Sequence, residues 1–184
     1  MKPRAKLLLL AALFALPIAA SWITYNYLRP EGGASYGELL LPPATVTARA
    51  LEDGNGGRFE FGELRGKWVL VASDSGTCAA ACAAKLATMR QVRLALGRNA
   101  SRVSRVFVID DLRRPAPGSL DPYEGTRVAL TPKGLQLPPG AANDRAHVYL
   151  VDPHGNVMLR WPAAADPKRM LGDLQRLLKA SQIG

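Results

Sequence analysis

From Leu7 to Leu28 the chain carries no charged residue. As a helix rising about 1.5 Å per residue, that stretch reaches about 33 Å, enough to cross the hydrocarbon core of a bilayer. Lys2, Arg4 and Lys6 precede it and only Arg29 follows closely. This asymmetry puts residues 1–6 in the cytoplasm and everything after Leu28 on the opposite side. Trp22, Tyr25 and Tyr27 gather at the far end, as an aromatic belt at the outer interface does. A cleaved signal peptide is the competing reading, with Ala19 and Ala20 before Ser21 as its small residues. Ile18 stands where a small residue is preferred, and the run is longer than a signal peptide's apolar region, so an uncleaved anchor at 7–28 is expected. The expected location is the inner membrane of a bacterium, single-pass, with the domain facing the periplasm.

What remains of the 184 residues suffices for one domain with a sizeable core and is too short for two. Residues 29–43 are rich in Gly, Pro, Ser and Glu without a sustained period, and read as a linker. The domain is expected over 44–184. The formal charge is +9, and Lys2, Arg4 and Lys6 account for three of the cations, so most of the excess lies beyond the anchor. Such an excess suits anionic lipid or an acidic protein, and is also what an ordinary solvated surface shows. No aromatic-interleaved basic motif is present, so no nucleic-acid partner is expected.

Ala44 to Ala50, the turn cluster Asp53-Gly54-Asn55-Gly56-Gly57 and Arg58 to Phe61 predict a strand, turn, strand hairpin. Trp68 to Ala72 is a continuous apolar run of the kind a buried central strand shows. Ala83 to Leu96 predicts an amphipathic helix, with Leu86, Met89, Val92, Arg93 and Leu96 along one stripe, Lys85, Arg90 and Gln91 toward solvent, and Gly97 as its C-terminal cap. Val103 to Ile109 predicts a second central strand. The stretch 112–143 is broken by six prolines and places no long element. His147 to Val151 and Val157 to Trp161 predict a hairpin around the turn Asp152 to Asn156. Asp166 predicts the cap of a last helix through about Ser181, with Met170, Leu171, Leu174, Leu177 and Leu178 on its apolar stripe.

Cys78 and Cys82 are the only cysteines. Their spacing puts two thiols one helical turn apart if a helix starts nearby, since residues i and i+4 share a face. Such a pair can close a disulfide, hold a soft metal ion, or do neither. In an oxidising compartment it would make a weak structural staple, because closing so short a loop constrains the unfolded chain little. The order of elements, a strand-helix-strand unit followed by a hairpin and a helix, is the thioredoxin-like arrangement, with both cysteines at a helix start where the dipole favours thiolate.

Within that frame the chain resembles the Sco/SenC family of thioredoxin-like cytochrome c oxidase assembly proteins, over roughly Leu41 to Ile183. The resemblance rests on Phe61-Gly62-Glu63-Leu64-Arg65-Gly66-Lys67-Trp68-Val69-Leu70-Val71, on Cys78 and Cys82 with three residues between them, on Arg102 to Asp110, and on Tyr149-Leu150-Val151-Asp152-Pro153-His154-Gly155. It implies an α/β, thioredoxin-like fold, a central mixed sheet with flanking helices, behind a single transmembrane helix. It also implies copper, held in that family by the two cysteines and one histidine. The position of that histidine falls on or near Asp144 here, and Ala79, Ala80 and Ala81 stand where the family usually has proline and acidic residues. His147 is the only nearby substitute, and its place at the entry of a strand reads as a strand histidine rather than a ligand. His154, in the Asp-Pro-His-Gly turn, reads as exposed. Asp144 offers a hard oxygen, a poor match for Cu(I).

Cys78 and Cys82 are therefore the expected catalytic residues and the expected copper ligands, with His147 a doubtful third. The leading functional expectation is a membrane-anchored Sco-like factor for oxidase assembly. It would act on an oxidase subunit, or another copper or thiol protein, by thiol-disulfide reduction, Cu(I) handling, or both. The alternatives are a general periplasmic thiol-disulfide oxidoreductase and a non-catalytic interaction module. There is no phosphate-binding Gly motif, no H-E-x-x-H and no Ser-centred elbow.

Overall fold

The computed structural model describes residues 3–27, 35–46, 51–54, 56–111, 113–131 and 145–181. The chain divides into two compact units, Met1–Ala34 and Ser35–Gly184. Among the described residues, the first holds one helix, α1 (Pro3–Tyr27), with Pro17 inside it. Its segment Pro3–Thr24 is long and apolar enough to cross a membrane.

The second unit is built on one eight-stranded mixed sheet in the order β1-β8-β7-β4-β5-β6-β2-β3. The strands are β1 (Glu38–Thr45), β2 (Leu51–Asp53), β3 (Arg58–Phe59), β4 (Trp68–Asp74), β5 (Val103–Ile109), β6 (Thr126–Leu130), β7 (His147–Val151) and β8 (Asn156–Pro162). The continuous apolar run at Trp68 becomes the central strand, parallel to β5 and antiparallel to β7. A strand with neighbours on both edges and cover on both faces has no use for polar alternation. Leu70 and Ala72 enter one core, while Val69 and Val71 enter the other.

Helices α2 (Ala80–Ala95) and α3 (Pro167–Ala180) contribute to the same core, through Cys82, Leu86, Met89 and Val92 and through Met170, Leu174 and Leu178. Gly97 ends α2 at φ +55°, where a side chain would be strained. Asp166 caps α3 by accepting from the N–H groups of Lys168 and Arg169. The second core gathers Phe59, Phe61, Val106, Val108, Tyr149 and Val157 on the opposite face. The β7–β8 hairpin closes at Gly155, whose φ of +94° and N–H bond to the Asp152 carbonyl make the turn.

Three expectations are corrected. Residues 38–43, read as linker, belong to β1, which pairs Glu38 with Arg160 and Leu39 with Leu159, so the compact unit starts at Ser35 and not at Ala44. Pro42 and Pro43 hide the strand because they break the alternation, yet an outermost strand tolerates them where a central one does not. The early hairpin is shifted: its strands are β2 and β3, pairing Leu51 with Phe59, while Ala44 and Thr45 go to β1 and Phe61 opens a 3-10 turn over Phe61–Leu64. Residues 47–50 lie outside the described residues. Finally, the proline-broken stretch contains β6, which extends the sheet by pairing parallel to β5.

Candidate functional site

β4 ends at Asp74, beside the end of β5 at Ile109, and the chain turns through 75–79 into α2. The two cysteines flank this start of α2 and are joined as a disulfide, with their Cα atoms 5.0 Å apart. The loop is ordered by short-range bonds. Cys78 N–H donates to the Ser75 carbonyl at 3.0 Å, and the Ser75 and Thr77 hydroxyls lie 3.0 Å apart. Cys78 has a φ of +39°, left-handed backbone that costs a non-glycine residue about 1–2 kcal/mol and persists only where surrounding contacts hold it. Gly76 is needed for closeness: a Cβ there would collide with the carbonyl of Arg113.

The two sulfurs are unequal in access. Cys82 is 1% exposed within the core, while Cys78 is half-buried between exposed Thr77 and exposed Ala79, Ala80 and Ala81. The first turn of α2 has no side-chain cap and no acidic residue. Its unpaired N–H groups and dipole favour negative charge on a sulfur at this end once the disulfide opens.

Beneath the loop lies a network of charged side chains. Lys85, expected in solvent, is 1% exposed, and its ammonium donates to the Ser73 carbonyl at 2.8 Å and the Arg145 carbonyl at 2.7 Å. It also pairs with Asp74 Oδ2 at 2.7 Å. A lone buried ammonium is costly, and three oxygen acceptors use all its hydrogens. The Arg145 guanidinium binds both oxygens of Asp110, which also accepts from the Ser73 hydroxyl. Those contacts and the nearby Asp74 and Asp111 raise the Arg145 pKa above its ordinary value, with the Asp110 hydrogen bonds as the largest cause. Asp111 Oδ1 accepts from the N–H groups of Gly76 and Arg113. The Ser75 hydroxyl first, and those amides after it, hold the Asp111 carboxyl below the usual range.

His147 does not join the pair. β7 places Val148 and Leu150 in the core shared with Cys82, so His147 faces the opposite side of the sheet, its ring centroid 6.1 Å from that of Tyr149 in the second core. His154 is exposed in its turn, and Asp144 lies outside the described residues. Among the described residues, no group of three His, Cys, Asp or Glu side chains is gathered to hold a metal ion. The donor set described is two sulfurs. Reduced to thiolates, they fit Cu(I), a soft ion, better than Cu(II).

Sequence reasoning did not single out Lys85 or Arg145. Lys85 was detectable: with Cys82, Leu86, Met89 and Val92 it occupies i, i+3, i+4, i+7 and i+10 of one stripe, and a lysine in an apolar stripe is a buried charge in want of partners. Arg145 follows a stretch without periodicity and carried no such signal.

Comparison with known proteins decides the family. Residues 68–181 match the family described as "Transmembrane-like, thioredoxin-like, C-terminal domain". The chain belongs to this family. Its fold is thioredoxin-like, and solved Sco proteins share it. The structure of Bradyrhizobium japonicum ScoI with copper bound superposes with a TM-score of 0.55 at 22% identity, over 72% of this chain and 99% of that one. Yeast Sco1 with copper bound gives a TM-score of 0.59 at 18% identity, over 76% of this chain and 91% of that one. Apo Sco1 from Thermus thermophilus gives 0.58 at 22% identity, over 79% and 99%. At these identities the likeness is one of fold. No curated protein matches the chain. The apolar helix and the family description together indicate membrane anchoring.

Proposed function

We propose that this protein is a membrane-anchored thiol-disulfide factor of Sco type, working on the copper-site thiols of cytochrome c oxidase from the periplasmic side of the inner membrane. The observation that carries the reading is the disulfide between half-buried Cys78 and buried Cys82 at the start of α2. In the reduced protein, the Cys78 thiolate attacks a substrate disulfide, forming a mixed disulfide and releasing one substrate thiolate. Cys82, after losing its proton, attacks Cys78 Sγ, closes the intramolecular disulfide and releases the second substrate thiolate. The substrate gains two electrons and the pair loses two, to be restored by an external thiol reductant. The exposed alanines around Cys78 leave room for a folded partner to approach. Copper, which two of the compared Sco structures contain, is cargo in this reading: the reduced pair takes one Cu(I) through both sulfurs and holds Cu(II) poorly.

The test is a Cys82→Ser variant of the full chain expressed in its own membrane, which leaves Cys78 to capture partners as mixed disulfides. Capture of a copper-site oxidase subunit is the expected result. A broad set of unrelated partners would instead favour a general oxidoreductase. Unchanged oxidase activity in a Cys78→Ser, Cys82→Ser double variant would overturn the oxidase role.

A further inference from the structure

The lysine that sequence reasoning assigned to solvent is, in the fold, the group that ties the redox loop together. Its ammonium joins three segments: the end of β4 through Ser73 and Asp74, its own helix α2, and the entry to β7 through the Arg145 carbonyl. Both sulfur-bearing residues depend on that junction. Cys82 lies one turn before Lys85 on the same face of α2. Cys78 is reached through Asp74, whose Oδ1 accepts the Ser75 N–H at 2.9 Å while the Ser75 carbonyl accepts the Cys78 N–H at 3.0 Å. None of these bonds involves sulfur, so opening the disulfide removes none of their donors or acceptors.

We infer that Lys85 is a positioning residue for the thiol pair: its buried contacts with Asp74, Ser73 and Arg145 hold Cys78 in its left-handed conformation in the reduced protein, keeping the two sulfurs poised to re-form their bond. This deepens the redox reading above and rests on it. The physical reason is preorganisation. A residue at positive φ with nothing holding it relaxes once the disulfide opens, and closing the bond again must restore it. Restoring one non-glycine residue to that region corresponds to about a tenfold equilibrium factor. Lys85 makes no contact with substrate in this scheme. Its effect reaches the chemistry through the backbone of the loop.

The measurement is the thiol-disulfide equilibrium of the full chain in detergent micelles with reduced and oxidised glutathione, read by alkylation and mass spectrometry. In Lys85→Met the constant for disulfide formation is expected to fall about tenfold, a potential about 30 mV more oxidising for this two-electron couple. Leu174→Ala, in the same core but on α3, controls for lost stability alone and should stay within about twofold of the wild type. Should Lys85→Met fail to fold, Asp74→Asn carries the test, since it keeps a side-chain oxygen and removes the charge that Lys85 meets, and the same direction of change is expected. A wild type that cycles while the folded variants match it within twofold overturns the role of Lys85 and leaves the redox reading standing. A wild-type disulfide that neither glutathione nor dithiothreitol opens would overturn the redox reading and this inference with it.

Discussion

A thiol pair that cycles must survive its own reduction, and the geometry sets how much stability is at stake. The disulfide joins residues four apart in sequence, a closed loop of only 78–82. Loop-closure entropy for so short a ring is on the order of 7 cal/mol/K, so the bond contributes about 2 kcal/mol at 25 °C by constraining the unfolded chain. Typical domains are stable by about 5–15 kcal/mol, and here two cores and the Lys85 network are independent of the bond. Reduction should therefore leave the domain folded, with the urea midpoint lower by roughly 1 M for a usual dependence on denaturant. The assay is urea unfolding of the full chain in micelles, with and without dithiothreitol, followed by tryptophan fluorescence. Trp68 and Trp161 are buried in the core beside α2 and α3 and report its integrity. A loss above about 4 kcal/mol, or a transition that ceases to be cooperative, would mean that the bond is a structural staple and would refute the argument that this pair is built to open.

Two further outcomes follow from charged groups in the core. Asp173, 2% exposed, accepts from Trp161 Nε1 and from the Tyr36 and Gly37 N–H groups, and pairs with Arg176. Burial pushes its pKa up, but those donors outweigh burial and hold it below the ordinary carboxylate value. Its contribution is then fully present above the unfolded-state pKa of about 4 and is lost as pH falls through the lower folded value. Asp173→Asn, which turns an amide toward these donors, should cost about 2–4 kcal/mol at pH 7, with the gap to wild type narrowing below pH 4 in urea titrations; a gap independent of pH would refute the assignment. Arg105 is 3% exposed, donates through Nη2 to the Glu124 carbonyl at 2.6 Å, and has Nε and Nη1 buried without a partner among the described residues. Burial first, then repulsion from Arg93 and Arg90, lowers its pKa. Arg105→Met should raise stability by about 1–2 kcal/mol in the same assay, and a loss of more than about 1 kcal/mol would show that the guanidinium is better satisfied than its protein contacts suggest.

The parts of the fold that were legible in sequence are those where one pattern dominates. β5 and β7 fall where their apolar runs predict, and α3 starts at its aspartate cap, because burial on both faces or one stripe leaves a dense, periodic signal. β1 and β6 escaped because each lies where prolines or polar residues interrupt the period and its place in the sheet is fixed by partners far along the chain, β8 for one and β5 for the other. At the site, the spacing of Cys78 and Cys82 put two sulfurs side by side, where the fold joins them as a disulfide, and the turn of strand β7 away from Cys82 agrees with reading His147 as a strand residue. What periodicity could not carry was the role of the charges. Lys85 lies on a stripe that the helix buries, and its burial is tolerable only because β4 and the entry to β7 supply carbonyl and carboxylate oxygens, partners separated from it by 12 and 60 residues at the two carbonyls. The stripe marks Lys85 as a buried charge, but one sequence does not show which distant oxygens satisfy it, so its place at the thiol loop was not legible. The inequality of the two sulfurs has the same origin: spacing makes Cys78 and Cys82 equivalent, and only the packing of α2 on β4 and β5 buries one and leaves the other half-buried.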